Sequence, residues 1–331
     1  MIITKTPYRI SFFGGGSDFP LYYSKFGGCV IGSTINKYCY ISLRKLPPFF
    51  KNRHRIVWSE IQLPNTISEI KHPCIKGVLN YFKIKDGIEI HHQGDLPAFS
   101  GIGSSSSFSV GLINALMTSM ERKLDKKELG KLSLYIEQKI LKEHVGSQDQ
   151  MWASYGGMNF INFDKKSINV KKLSISEINK KKLSNNLILF FTGKTRFSGK
   201  IEKNKIFRIE KNLSTLEEMK NYVFYCKKIL EKGSSLDEFG ELLDNYWNLK
   251  KELSNEVSSN LIDEIYKEAK ISGAKGGKII GAGGGGFILF YAKPEIQKKL
   301  IKKFNKLTPV RFDFSAEGSK VIFRQKEIKK L

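Results

Sequence analysis

Gly94-Asp95-Leu96-Pro97-Ala98-Phe99-Ser100-Gly101-Ile102-Gly103-Ser104-Ser105-Ser106-Ser107 is the stretch on which the reading of this chain turns. Before it, Ile88 to His92 reads as a short strand. After it, Phe108, Leu112, Ile113, Leu116, Met117 and Met120 recur at helical spacing. A turn of small residues between a strand and a helix lets backbone N–H groups approach an anion closely. The helix N-terminus adds its unpaired donors and its partial positive charge. The serine hydroxyls offer further donors, or a ligand for a metal ion. A serine-rich linker has the same composition, but a linker would not sit between a strand and a strong helix. The usual phosphate loop, GxxxxGK[ST], is absent. Gly101, Ile102, Gly103, Ser104, Ser105, Ser106 and Ser107 are therefore read as a cradle for a triphosphate.

Two other glycine-rich segments flank this one. Pro7-Tyr8-Arg9-Ile10-Ser11-Phe12-Phe13-Gly14-Gly15-Gly16-Ser17-Asp18 puts an arginine at the end of a strand, then a tight turn, then an acid. Alone it is also what an ordinary surface turn looks like. Gly273 to Gly286 follows a helix and runs into the strand Phe287 to Tyr291. A disordered loop fits poorly against a strand packed directly after it, whereas a backbone held close to a ligand calls for such glycine density. Two acids complete the set: Glu137 beside the apolar face of its helix, and Asp149 in Gly146-Ser147-Gln148-Asp149-Gln150, just past the helix end. Any one carboxylate is ordinarily a surface charge. A phosphotransferase, however, needs one acid for Mg²⁺ and often another to orient or deprotonate the acceptor hydroxyl.

The bulk numbers bound the alternatives. A chain of 331 residues exceeds one ordinary core, so two domains are expected. With 40% apolar and 27% charged residues it reads as a soluble globular protein. The net charge of +24 invites a nucleic-acid reading, but no basic stretch is interleaved with aromatics as a stacking platform requires. That reading would also leave the glycine segments without a purpose, so no nucleic-acid partner is expected. Cys29, Cys39, Cys74 and Cys226 form no CxxC pair, which points to free thiols rather than zinc or redox chemistry. The N-terminus has no signal-peptide layout, and the apolar stretch around Ile279 to Ala292 is too short and too glycine-rich to span a membrane. A cytoplasmic protein without membrane attachment is expected. The oligomeric state stays open, a homodimer being one expectation.

Along the chain, strands are expected at Ile2 to Ser11, Cys29 to Leu43, Gly157 to Phe163, Leu187 to Thr192, Phe287 to Tyr291, Val310 to Phe314 and Val321 to Phe323. Helices are expected from Ser104, from Asp125 (an N-cap with Glu128 three residues on), over Ile206 to Glu231, Leu236 to Leu253, Ser259 to Ser272 and Pro294 to Asn305. The lysine-rich stretch Asp164 to Asn186 reads as the softest region and a domain border. The content is α+β.

Three glycine segments and two acids in this order resemble the GHMP kinases, the superfamily of galactokinase, homoserine kinase, mevalonate kinase and phosphomevalonate kinase. Within it the chain is most similar to the D-glycero-D-manno-heptose 7-phosphate kinases, through residues 7–18, Val145-Gly146-Ser147-Gln148-Asp149-Gln150, Gly156-Gly157, Thr192-Gly193 with Arg196, and Gly281 to Phe287. Fucokinase-type sugar kinases share much of the pattern.

The resemblance implies a two-domain fold. Residues 1–185 would be similar to the ribosomal S5 domain-2-like fold and residues 186–331 to a ferredoxin-like α+β layer, with the active site in the cleft between them. It implies ATP and Mg²⁺, and transfer to the anomeric hydroxyl of a sugar phosphate on the way to nucleotide-activated heptose for surface polysaccharide. Asp149 matches the catalytic base and Arg9 the basic residue near the acceptor oxygen. Glu137 and Ser105 match the magnesium ligands, with an uncertainty of one position in the serine run. Asp18 matches the acid that holds sugar hydroxyls, beside Gly15, Gly16, Gly283 and Gly284. Lys194, Arg196, Lys275 and Lys278 are candidates for the substrate's distal phosphate, Arg196 the best suited by its forked donors. Trp58 is a candidate for the nucleotide-base pocket. Gln148 stands where galactokinases carry a hydrophobic residue, which makes galactose a poor candidate.

Overall fold

The computed structural model describes residues 1–195, 209–232 and 236–325. Strand β1 (Ile2–Phe13) is buried almost throughout: a partner strand runs along one edge, another pairs with Ile2 to Lys5 on the other, and a helix packs on it. Its main partner is the 18-residue strand β2 (Gly28–Lys45). The second half of β2 pairs with β5 (Ile88–Gly94) and its first half with β6 (Met158–Phe163). The short strands β3 (Arg55–Val57) and β4 (Ile61–Gln62) extend the sheet beyond β5, and β7 (Ile168–Lys172) extends it beyond β6. A second, antiparallel sheet has the order β11-β8-β10-β9, from β8 (Leu187–Phe191), β9 (Gly276–Ile279), β10 (Phe287–Tyr291) and β11 (Thr308–Val310).

The helices are α1 (Pro20–Phe26), α2 (Pro73–Tyr81), α3 (Ser104–Ser119), α4 (Lys126–Tyr135), α5 (Asp149–Tyr155), α6 (Glu177–Asn185), α7 (Leu213–Lys232), α8 (Asp237–Glu252), α9 (Asn260–Ile271) and α10 (Pro294–Lys303). Helix α3 is almost entirely buried and lies directly on β1 and β2. Mid-helix Gly111 permits this approach. A Cβ there would stand 2.8 Å from the Thr6 hydroxyl, and its carbonyl accepts from Thr4 at 3.0 Å. The glycine costs about 1 kcal/mol of helix propensity relative to alanine, which the close packing offsets. Phe12 and Phe13 of β1 meet Phe239 edge-on at 5.2 and 5.7 Å, so a single aromatic core joins the two sheets.

Fold class agrees with the expectation of mixed helix and sheet, here in two separate sheets with helices packed on them. Three local readings need correction. The stretch expected to be softest holds β7 and α6, the latter opened by Ser176, whose hydroxyl accepts from the Asn179 N–H. Its lysines are the solvated face of real elements. A single cut at 185/186 matches the change of sheet between α6 and β8 but not the chain's end. Ser315 N–H donates to Thr34, and β12 (Lys320–Arg324) pairs with β1 in the first sheet. The strand expected from Val310 to Phe314 is instead the end of β11, which stops at Val310. Beyond it only a lone bridge forms, Phe314 to Ile35, because the chain is there leaving one sheet for the other.

Helix α4 opens with the expected capping box, Asp125 accepting from the Glu128 N–H and Glu128 accepting from the Asp125 N–H. Asp125→Ala should lower stability by about 1 kcal/mol and leave turnover unchanged, read by thermal denaturation beside an activity assay.

Candidate active site

Between the two parts lies a cleft of about 570 Å³. Its floor is the N-terminus of α3. Gly103, the residue before the helix, is left-handed (φ 74°), and no side chain caps the helix, so the first-turn N–H groups face the cleft. Gly101, Gly103, Ser104, Ser105 and Ser106 line it. Ile102 and Ser107 do not. Ile102 is core, offering only its carbonyl to the Arg9 N–H at 3.0 Å, and Ser107 is turned inward to the Pro7 carbonyl at 2.8 Å. The helical turn that exposes its neighbours rotates these two away.

Arg9 and Asp149, 140 residues apart in sequence, meet here as a forked pair. Nε donates to Oδ1 at 2.6 Å and the second terminal nitrogen to Oδ2 at 2.5 Å, while the remaining nitrogen donates to the Gly101 carbonyl. The arginine is buried and the carboxylate 22% exposed, so the ion pair opens toward the cleft from its acidic end. Asp149 lies not just past a helix end, as the sequence suggests, but at the first residue of α5.

Glu137 belongs to a π-helical turn, Ile136–Ile140, closed by the Leu141 N–H to Ile136 carbonyl bond. Such a turn adds a residue to the helix and re-aims side chains. Glu137 is 1% exposed, and its carboxylate accepts from Ser106 at 3.0 Å and from Gln150 at 2.5 Å. The serine that meets it is thus Ser106, one position along from Ser105, which lies on the exposed side of the turn. Burial pushes the Glu137 carboxyl up to about 8. The Gln150 bond opposes this, the negative charge of Glu143 adds to it, Ser106 opposes it, and Asp149 adds to it. Among the described residues no group of three or more His, Cys, Asp or Glu side chains stands together as a metal cage. Two hard oxygen donors beside a phosphate cradle fit Mg²⁺, which keeps waters and takes the rest of its ligands from a nucleotide.

On the opposite wall Asp18 is buried, its Oδ1 accepting from the Gly16 N–H at 3.0 Å, and Gly146 packs against its carboxylate. Gly15, Gly16 and Gly283 line the cleft; Gly284 faces away, its N–H donating to Val257 at 2.9 Å, and Gly285 lines in its place. Of the four cations read as phosphate partners, Lys278 lines the cleft, buried and donating to the carbonyls of Ser11 at 3.0 Å and Phe12 at 2.5 Å. Lys194 and Lys275 are exposed and off the cleft, and Arg196 lies outside the described residues. Trp58 is also off the cleft, edge-on to His72 at 4.7 Å.

Sequence reasoning missed Lys142, His144, Tyr246 and Lys250, all of which line the cleft, and the role of Gln150 against Glu137. Tyr246 and Lys250 are four apart on one helix, a signal that a search for cleft-facing polar pairs would catch. Nothing local marks Lys142 and His144.

Comparisons with known proteins show the family. Residues 69–157 match the GHMP kinases N terminal domain and residues 226–308 the GHMP kinases C terminal domain. The D-glycero-alpha-D-manno-heptose 7-phosphate kinase of Campylobacter jejuni is 32% identical, over 96% of this chain and 98% of that one. A crystal structure of a D-glycero-D-manno-heptose 1-phosphate kinase from Bacteroides thetaiotaomicron superposes with a TM-score of 0.79 at 24% identity, covering 98% of this chain and 100% of that one. Lactococcus lactis galactokinase complexed with galactose superposes with a TM-score of 0.72 at 17% identity, over 96% and 94% of the two chains. The chain belongs to the GHMP kinase family. It is an ATP-dependent phosphotransferase with an alcohol group as acceptor.

The buried carboxyl makes a stability prediction. Folded Glu137 keeps its proton to about pH 8, whereas an unfolded chain releases it near 4.5, so the native state is weakened as pH rises through that window. Without metal or nucleotide, the melting temperature should fall between those pH values. Glu137→Gln should flatten most of that slope, measured at constant ionic strength.

Proposed function

We propose that this kinase phosphorylates a sugar phosphate, D-glycero-D-manno-heptose 7-phosphate, at its anomeric hydroxyl. The product is the 1,7-bisphosphate, an intermediate toward nucleotide-activated heptose for surface polysaccharide. The observation that carries the substrate is the full-length likeness to the Campylobacter jejuni heptose 7-phosphate kinase. Lys142 and Lys278, which line the cleft, favour a substrate that brings a second phosphate.

The phosphates of ATP rest on the amides opening α3 and on the hydroxyls of Ser104 to Ser106. Ser106 and Glu137 would hold Mg²⁺, which when bound would supply positive charge beside the phosphates. Asp18 and the Gly15-Gly16 backbone hold sugar hydroxyls. Asp149 orients the acceptor hydroxyl and receives its proton. Its two bonds to Arg9 fix the carboxylate plane, so the free lone pairs point to one place. Arg9 also stabilises charge on the transferring group. Phosphoryl transfer draws more on such placement and electrostatics than on covalent help.

Asp149→Asn should fold normally and lose on the order of 10²–10⁴ in turnover, and a variant as active as the parent would remove Asp149 from the reaction. The substrate is tested by coupled ADP release with heptose 7-phosphate against free fucose, galactose, mevalonate and homoserine. Heptose 7-phosphate should give the highest kcat/KM by at least about tenfold, the value of one good polar contact. Preference for free fucose would instead point to a fucokinase-type enzyme.

A further inference from the structure

Helix α8 sends two side chains into the cleft one turn apart. Tyr246 is buried, and its phenol oxygen faces the backbone amides of Gly14 and Gly15 in the first glycine loop. A Cβ on Gly15 would lie 4.0 Å from that oxygen. Lys250 is 5% exposed, and its Nζ donates to the carbonyls of Ile279 and Gly281 in the third glycine segment, each at 2.7 Å. An ammonium so buried gives up much of its hydration, and is held there only if its donors are well placed. Here it draws together two carbonyls on either side of Ile280.

That grip continues beyond the segment. Gly281 sits so close to the phosphate turn that a Cβ on it would stand 2.5 Å from the Gly101 Cα. Both residues have positive φ, 71° and 89°. Further along, the Phe287 N–H donates to the Ser100 carbonyl at 3.1 Å. Gly101 in turn offers its carbonyl to Arg9, whose fork holds Asp149. One helix therefore grips, four residues apart, the loop beside Asp18 and the segment braced against the phosphate turn.

We infer that Tyr246 and Lys250 form a spacer that sets the distance between acceptor and phosphate donor. Lys250 is a positioning residue for the donor phosphates, acting through Gly281 and Gly101. Tyr246 is a positioning residue for the acceptor, acting through Gly14 to Gly16. The inference rests on reading the Asp18 wall as the acceptor side. Neither side chain needs to touch the reacting atoms, since a misplacement of about 1 Å costs roughly 10²-fold in rate.

The two variants should fail in different ways. Lys250→Met keeps the stem and loses the donors. It should lower kcat about 10- to 100-fold and weaken nucleotide binding, with acceptor KM changed by less than about twofold. Tyr246→Phe keeps the packing. It should raise acceptor KM about fivefold or more and leave kcat within about threefold. Propylammonium added to Lys250→Ala should restore part of kcat and should not help Tyr246→Phe. Binding of a fluorescent ATP analogue without any acceptor should be weakened in Lys250→Met alone. That readout holds whatever the sugar proves to be, so it stands apart from a failure of the substrate assignment. Identical kinetic defects in both variants overturn the spacer. So does a Lys250→Ala enzyme of parental melting temperature that the amine leaves unchanged.

Discussion

A single arginine ties the cleft together. Arg9 sits in the buried second half of β1 and from there touches two distant parts of the chain. Its backbone N–H holds Ile102, one terminal nitrogen holds Gly101, and the rest of the guanidinium holds Asp149. The turn before α3 and the Asp149 carboxylate are thereby referred to one planar, permanently charged group. Lysine could supply the charge but not three directed bonds in one plane. The glycines of the first and third segments act around this fixed point. They let backbones come within contact of one another, so that no side chain intervenes between turn, segment and strand.

The electrostatics of the cleft are divided along the same lines. On one side an acid is held beside a cation and faces partial exposure. On the other a second acid is buried among neutral donors and keeps its proton near neutrality. Burial is what raises the second acid, and a divalent ion would reverse that. The +24 net charge contributes at longer range, as a background that favours polyanionic ligands.

Much of this is legible in the sequence because glycine and serine runs between periodic segments carry geometric meaning. The strand–turn–helix reading at residues 88–120 matches the structure nearly to the residue, and Asp125 with Glu128 signals its helix start. What a string of letters does not carry is depth. Ser104 to Ser107 look alike, yet helical rotation sends Ser105 outward, Ser106 to Glu137 and Ser107 into the core. Lysines are likewise indistinguishable by type. Lys278 is enclosed and Lys275, three residues away on the alternate side, is exposed, because burial depends on what α8 packs against. The helix at Asp149 is hidden by its length of seven residues and the glycine that ends it. The return of the chain's last strand to the first sheet depends on partners at opposite ends of the chain, Ile2 and Arg324 among them, for which no local signal exists.

That return has a mechanical meaning. Among the described residues the polypeptide changes sheet at 186 and again near 312–315, and the second passage is stitched to Thr34 and Asn36 by backbone bonds. Two crossings, the second tied down by backbone bonds, limit how far the two sheets can part without breaking those bonds.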